Sequence, residues 1–352
     1  MKPSATYASL FSVAFSLLFS PVLAEDNGRN YTTRDEKREA AQRYKITKWF
    51  SLSTLAEIEQ SKQRFTSVEN EHSKQDDFSK SLDVELFFNP SKYLTSEVTI
   101  GFDDDKGKLS VDEAVVIIDL DPMELELGKL YLPVGEYYSH FITGAPTEFS
   151  ETQAKAAVLN YQATEKVELA LFVYDGDAEK QSSSNNIDWG VSTELQALEG
   201  LTLGLGYQSD LADADEVDLQ ESRNQYARRV DGIGMYGAYE FGDVEITAEY
   251  TGALKPFNEF DEDRNKPAAW NMEFAHYPRE TFEWALRLAG SHEIEDAPEK
   301  QLGIVATWHL HKQVSASLEY LHNDYKAELA EDQNEEELRE SDQFGGRLTL
   351  LF

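Results

Sequence analysis

The chain has 352 residues, with 66 acidic against 32 basic side chains, a formal net charge of −34 and no cysteine. A balance this acidic repels phosphate backbones and argues against nucleic-acid binding through a basic face. The absence of Cys removes disulfide scaffolds, thiolate zinc sites and cysteine nucleophiles. Aromatic residues make up 12% of the chain, too many for an acidic disordered polymer, so the chain is expected to fold.

In chain order, Met1 to Ala24 carries a single charge, Lys2, then an apolar run from Tyr7 to Phe19, a break at Pro21, and Val22 and Ala24 at the −3 and −1 positions. This is the layout of a secretory signal peptide over residues 1–24, cleaved after Ala24; its apolar run is shorter than the ~20 residues of a helical span. Glu25 to Lys45 is polar and charged and reads as a short periplasmic N-terminal segment, with the folded domain running from 46 to 352.

From Ile46 onward the hydrophobic period is two. Val167, Leu169, Leu171 and Val173 alternate with Glu168, Ala170, Phe172 and Tyr174, and Val244, Ile246, Ala248 and Tyr250 alternate with Glu245, Thr247, Glu249 and Thr251. Such segments are strands with one apolar and one polar face. Their cores are expected at Trp49–Ile58, Leu82–Phe88, Leu94–Phe102, Leu109–Leu120, Met123–Leu132, Ala154–Gln162, Val167–Tyr174, Asp188–Leu195, Leu201–Gln208, Gly232–Phe241, Val244–Thr251, Ala268–Tyr277, Phe282–Ala289, Gln301–His309, Val314–Leu321 and Phe344–Leu351.

A soluble sandwich also alternates, but its connections do not sort by length. Here short turns (Asn89-Pro90, Asp121-Pro122, Thr164-Glu165, Leu198–Gly200, Gly242-Asp243, Pro278–Glu280, His311-Lys312) alternate with long polar loops, the first at Ser61–Lys80 and the last at Lys326–Ser341; only Asp103–Lys108 is short where length is expected. One rim of short turns and one of long loops is the plan of an outer-membrane barrel. The last strand places Phe344, Gly346, Leu348, Leu350 and Phe352 on one face and ends on Phe, which resembles the signal such barrels present to the barrel-assembly machinery. The expected fold is therefore all-β: a transmembrane antiparallel β-barrel of about sixteen strands in the bacterial outer membrane, wide enough for an aqueous channel. Outer-membrane lipid and lipopolysaccharide are its expected surroundings, and a homotrimer is a possible assembly.

With the apolar face toward lipid, the other face points into the lumen. The expected pore-lining residues are Glu97, Glu113, Asp119, Glu126, Glu168, Glu245, Glu249, Glu273, Glu283 and Glu319, with Arg287 and Arg347 as the opposing cations. Glu85, Glu124, Glu194 and Glu240 share that face. A ring of carboxylates in an aqueous bore favours cations. Lys129 breaks the alternation; it snorkels outward, or Gly128 marks a bulge that turns it inward. The loop Pro133–Thr152 carries Tyr137, Tyr138, His140, Phe141 and Phe149, too many apolar groups for a solvated tip. It is expected to fold into the lumen as a constriction loop; packing against a neighbouring loop or subunit is the alternative.

Other signals point to less. Carboxylate clusters at Asp103–Asp105, Asp213/Asp215/Asp218, Asp261–Asp263 and Glu335–Glu337 lack the spacing of a calcium loop and read as solvated charge, so no metal site is expected. Arg223, Arg228, Arg229, Arg264 and Lys266 at the mouth are candidates for anionic headgroups or an anionic solute. Gly232–Gly237 matches G-x-G-x-x-G inside a strand that opens no helix, so no nucleotide or other cofactor is expected. No Ser/His/Asp set can be placed at one rim, so no catalytic residue is assigned.

Leu125–Gly135 (LELGKLYLPVG), with Pro146-Thr147-Glu148, Glu151-Thr152, Leu86–Pro90 and the Phe352 ending, resembles the LbtU-type siderophore porin family. That resemblance implies a sixteen-stranded outer-membrane barrel mediating uptake of a ferric siderophore without a plugged receptor. A general or cation-preferring diffusion porin is the alternative, and a barrel enzyme or adhesin using the long loops is a further one.

Overall fold

The structure is a computed structural model that describes residues 43–103, 107–176, 178, 187–215, 219, 226–261, 264–331 and 336–352. The expected signal peptide and most of the polar segment after it lie outside the described residues. Seventeen strands are formed: β1 (Tyr44–Thr47), β2 (Phe50–Ser67), β3 (His72–Ser91), β4 (Leu94–Asp103), β5 (Lys108–Asp119), β6 (Met123–Tyr131), β7 (Gln153–Thr164), β8 (Val167–Asp175), β9 (Ile187–Leu198), β10 (Leu201–Gln208), β11 (Gly232–Phe241), β12 (Val244–Ala253), β13 (Ala268–Arg279), β14 (Phe282–His292), β15 (Lys300–His311), β16 (Val314–Asp324) and β17 (Leu338–Leu351).

From β2 to β17 each strand pairs antiparallel with the next, and β17 pairs with β2 from Leu338–Ser67 to Leu351–Leu55, which closes a barrel of sixteen strands. β1 straddles the expected boundary at residues 45 and 46 and pairs with Phe50–Leu52. It takes over the edge of β2 where β17 ends, at the Phe352 backbone that bonds Thr54 in both directions.

Alternation becomes two surfaces. On β8, Leu169, Leu171 and Val173 are exposed outward while Ala170, Phe172 and Tyr174 are buried inward; on β14, Leu286 and Leu288 face out while Ala285, Arg287 and Ala289 face in. The outward apolar belt is fringed by aromatics: Trp189 beside Tyr207 and Tyr320 beside Phe344 toward the long loops, and Phe282 beside Trp308 and Tyr239 beside Phe241 toward the short turns. A continuous belt of exposed Leu, Val and aromatics is stable only against hydrocarbon.

The structure departs from the sequence reading at the tall side of the wall. Ser61–Lys80 is not a loop: β2 runs to Ser67 and β3 starts at His72, in register from Ser61–Asp77 to Thr66–His72. β17 likewise begins at Leu338, not Phe344. Above the belt both faces of a strand meet water, so the side chains (Lys62 beside Asp76 at 3.6 Å) carry no alternation, while the ladder uses only backbone.

β5 carries a bulge. Pairing with β4 passes from Val98–Ala114 to Ile100–Val111, so Asp112 and Glu113 face one residue, Thr99. Pairing around Gly128 is unbroken, with Val115 opposite Gly128 and Ala114 opposite Lys129. Lys129 therefore points outward between Leu127 and Tyr131, and its Nζ donates to the Val111 carbonyl at 2.9 Å, beside the bulge. Gly128 holds φ +151° with the Ala114 oxygen 1.9 Å from where a Cβ would sit. Gly128→Ala should destabilise the barrel by roughly 1–3 kcal/mol, read as a lower urea midpoint for refolded protein in vesicles; an unchanged midpoint would show that the strand relaxes freely here.

Candidate functional site

The segment from Leu132 to Thr152 leaves β6 and enters the barrel. Small residues on the inner wall let it approach. The Val134 oxygen lies 2.2 and 2.3 Å from where Cβ atoms on Gly206 (β10) and Gly234 (β11) would sit, and the Phe141 ring lies 2.5 Å from one on Gly303 (β15). Phe141 is buried with Ala275, Ala285, Val305 and Leu321.

Three wall carboxylates then hold the loop backbone. Glu249 Oε1 accepts the N–H groups of Glu136 (2.7 Å) and Tyr137 (3.1 Å), and its Oε2 accepts the Thr147 hydroxyl at 2.9 Å. Glu273 Oε2 accepts the His140 N–H at 2.9 Å, and its Oε1 the Ser139 hydroxyl at 2.8 Å. Glu319 Oε2 accepts the N–H groups of Ile142 (2.8 Å) and Thr143 (3.1 Å), and its Oε1 the Thr143 hydroxyl at 2.6 Å. Consecutive N–H groups converging on one carboxylate make a strong anion seat.

Arg287 completes the lock from β14. Its Nε donates to Glu273 Oε1 at 2.9 Å, and its Nη1 to the carbonyls of Thr143 (2.9 Å) and Gly144 (3.1 Å) and to Gln301 Oε1 (3.1 Å). Nη2 donates to the Ser139 hydroxyl, and the guanidinium stands 4.2 Å from the centroid of the Phe141 ring. His140 sits between two carboxylates, its Nδ1 2.9 Å from Glu273 Oε2 and its Nε2 3.6 Å from Glu245 Oε2. The Tyr277 hydroxyl bridges to Glu245 Oε2 at 2.6 Å.

Burial alone would push the His140 imidazole down, but its bonds to Glu245 and Glu273 and their charge outweigh that and hold its pKa up at about 10. Two loop carboxyls move the other way from solvent behaviour. Burial, then repulsion from Glu148 and Asp215, raises Glu151 to about 7, and burial raises Glu148.

Pairing register and burial put all twelve expected pore-lining residues on the inward face, but in two different situations. Glu245, Glu249, Glu273, Arg287 and Glu319, at 0, 9, 1, 1 and 4% exposure, lie beneath the loop and hold it. Glu97, Glu113, Glu126, Glu168, Glu283 and Arg347 remain half-buried and Asp119 exposed. Of the loop residues, Tyr137, Tyr138, His140 and Phe141 lie in or beside the lock, with Tyr138 edge-on to His140 at 4.9 Å. Phe149 is the exception: it packs with Leu211, Tyr226, Val230 and Phe257 among the outer loops, because those loops build an apolar core of their own. Two of the mouth cations are paired within the protein, and a third is bonded to neutral oxygens. Arg229 pairs with buried Asp188, Arg264 bonds Glu295 at 2.7 Å, and Arg228 bonds the Pro256 carbonyl at 3.1 Å. Arg223 lies outside the described residues. Ser139, Thr143, Tyr277 and Gln301 were not anticipated; the inward glycines 206, 234 and 303 were the readable sign of a close approach.

The His140 contribution to docking is complete below about pH 6.5, its value in a released loop, and is lost as pH rises through about 10. Glu151 is penalised once it ionises, from about pH 4.5 up to about 7. Both therefore favour release on the alkaline side. Limited proteolysis of the loop should accelerate as pH rises toward 10 and beyond, and His140→Gln should flatten the upper step. Arg287→Ala leaves Glu273 buried beside one cation fewer and should weaken docking by about 3–5 kcal/mol, read as loop cleavage already at neutral pH in a barrel that still migrates as folded.

No family model matches the chain. An uncharacterised UPF0422 protein of Coxiella burnetii (strain RSA 493 / Nine Mile phase I) is 31% identical over 147 residues, 39% of this chain; the match spans about a third (32%) of that relative's length. Among solved structures the chain is similar to the outer membrane channel DcaP of Acinetobacter baumannii (TM-score 0.61, 10% identity, 88% of this chain and 99% of that one). It is also similar to an anion-selective porin from Comamonas acidovorans (TM-score 0.60, 10% identity, 86% and 100%) and to the trimer form of the outer membrane protein OmpT of Vibrio cholerae (TM-score 0.53, 10% identity, 86% and 100%). The chain has the fold of the sixteen-stranded outer-membrane porins.

Proposed function

We propose that the chain is a non-enzymatic outer-membrane channel for passive diffusion with a preference for cations. One observation carries this reading. The loop from Pro133 to Thr152 is fastened by its hydrogen bonds to the wall of β10–β17. Although Val134 shares a buried cluster with Val115 and Ile117 of β5, the carboxylates of β2–β5 stay at most half-buried, so that wall is acidic. Glu57 and Glu59 on β2, Glu85 on β3, Glu97 on β4 and Glu113 on β5 share the inward face. Two cations stand against these five carboxylates: Arg347, 3.5 and 3.6 Å from Glu57 and Glu59, and Arg43, whose guanidinium lies 3.5 Å from the centroid of the inward Phe87 ring, opposite Glu97. A solute passing between loop and wall meets a negative potential that a narrow, low-dielectric bore intensifies. Tyr137, Tyr138, His140 and Phe141 form the constriction in this reading. Cleavage after Ala24, assembly guided by the Phe352 ending, and a trimer belong to the same proposal; the fold is shared with a porin solved as a trimer.

The ferric-siderophore cargo implied by resemblance rests on the stretch from Leu125 to Gly135 and the shorter motifs around it. An anionic siderophore is a poor match to the β2–β5 wall, and Arg228, Arg229 and Arg264, which could have captured one at the mouth, are held by neighbouring loops. Within the siderophore reading, a cationic or neutral chelate is the better fit.

In planar bilayers with a KCl gradient the reversal potential should report cation preference, and Glu97→Gln with Glu113→Gln should move it toward zero; anion selectivity of the wild type would end the proposal. Deleting Tyr137–Phe149 should raise single-channel conductance severalfold, since bore area sets conductance in a wide barrel; an unchanged step would remove the constriction role. Growth under iron limitation with and without the protein, at equal general permeability, separates siderophore uptake from simple diffusion.

A further inference from the structure

On β6 and β7 two lysines interrupt the outward apolar face near the long-loop end. Lys129 on β6 and Lys155 on β7 are direct cross-strand partners, and both point outward. Like charges opposite each other on a sheet repel, and a lysine on the lipid face of a barrel costs up to ~2–4 kcal/mol at mid-depth and little at the interface. The pair sits at the interface. Tyr131 is two residues above Lys129 on the same face, and Trp189, in the aromatic girdle, lies one residue pair below the row that joins Lys155 through Asp175 to Ile187. Lys129 spends one donor on the Val111 carbonyl, and an ammonium has three. Among the described residues neither lysine forms an ion pair, although Asp175 is opposite Lys155. Asp112, which accepts from the Tyr131 hydroxyl (3.4 Å) and Gln153 Nε2 (3.1 Å), and Asp175 flank the pair. This is therefore a charged island at headgroup depth, in which the two adjacent ammonium groups offer donors that no carboxylate of the described residues takes up.

Below them the apolar surface is not smooth. Down β7 the outward face reads Lys155, Ala157, Leu159, Tyr161. From Leu159 a groove of about 500 Å³ crosses β8 to β11, lined by Leu169, Leu171, Val191 and Leu205 and floored by Ala170 and Gly206. A groove of this kind, with a dication at its head, has the polarity of a phosphorylated lipid: charge at the top, one or more acyl chains beneath.

We propose that Lys129 and Lys155 seat a phosphate of a phosphorylated outer-leaflet glycolipid of the lipid A type, with an acyl chain of the same molecule in the Leu159–Leu205 groove. This rests on the membrane orientation in the reading above, long loops outward, and not on conduction. The lysines bond the phosphate oxygens as charge-assisted donors, and their mutual repulsion, unfavourable in the empty protein, is relieved on binding.

The test uses the full mature chain, folded in detergent, with purified diphosphoryl lipid A as probe and native mass spectrometry of the folded barrel as readout. Wild type should retain the lipid, and the Lys129→Gln/Lys155→Gln double variant should retain it about thirtyfold less, the scale expected for losing two interfacial lysine contacts. Dephosphorylated lipid A should bind wild type as weakly as the double variant binds the intact lipid. Leu171→Trp, which fills the groove and leaves both lysines, should also reduce retention. Equal retention by the double variant, displacement by inorganic phosphate as efficiently as by lipid A, or a loss of oligomers with lipid retention unchanged would each overturn the proposal; the last would make this face a contact between copies. Folding is checked by heat-modifiable migration. Because both lysines lie outside the lumen, conductance should be unaltered in the variants, and a barrel that conducts nothing would still retain the lipid, so the two readings fail separately.

Discussion

The governing constraint is that a backbone N–H or C=O in hydrocarbon has no water to bond. A sheet in a membrane must therefore have no edge, and the pairing of β17 with β2 removes the last one. Once the ladder is closed, each strand has an outside and an inside, and successive residues alternate between them. The acidic character of the chain and its apolar belt are compatible only because of this sorting. Charge that would be intolerable on the outer face is gathered inward, and the outer face can be Leu, Val and aromatic almost throughout.

Closure also creates a second problem. Sixteen strands enclose more space than their own inward side chains fill, and a chain segment placed in that space brings backbone groups that need partners. The loop after β6 is solved by charge. Glu249, Glu273 and Glu319 would be costly to bury as bare carboxylates, and loop N–H groups would be costly to bury without acceptors. Each cost offsets the other: a carboxylate receives two or three donors, the loop has its N–H groups bonded, and Arg287 and His140 bring positive charge to the same cluster. Inward glycines at 206, 234 and 303 remove the steric obstacle. The interior is thereby divided into a wall that holds the loop and a wall that faces the remaining space.

That division changes what an inward carboxylate means. Glu97 and Glu273 are indistinguishable by alternation, yet one is half-buried on the wall of β2–β5 and the other is packed beneath a loop with an arginine on it. Counting acidic side chains on the inner face therefore overstates the charge available to a passing solute, and Arg347 and Arg43 offset part of what is left, since five carboxylates at β2–β5 face two cations. The net result is still a negative wall, at β2–β5.

The sequence by itself determined the fold class, the number of strands and which face of each strand is lined by apolar groups, because those follow from a period of two against a membrane and from the alternation of turn lengths. It also marked the loop at 133–152 as out of place in water. It did not determine where strands end above the membrane: Ser61–Lys80 reads as loop because both faces are wet there, and a ladder made of backbone leaves no trace in side chains. Nor could it separate Glu245, Glu249, Glu273 and Glu319 from the other inward acids, send Phe149 to the outer loops, or show that Lys129 and Lys155 stand side by side. Those are contacts between residues as many as 177 positions apart, fixed only when the loop crosses the closed barrel and the strands fall into register, and no local pattern encodes them.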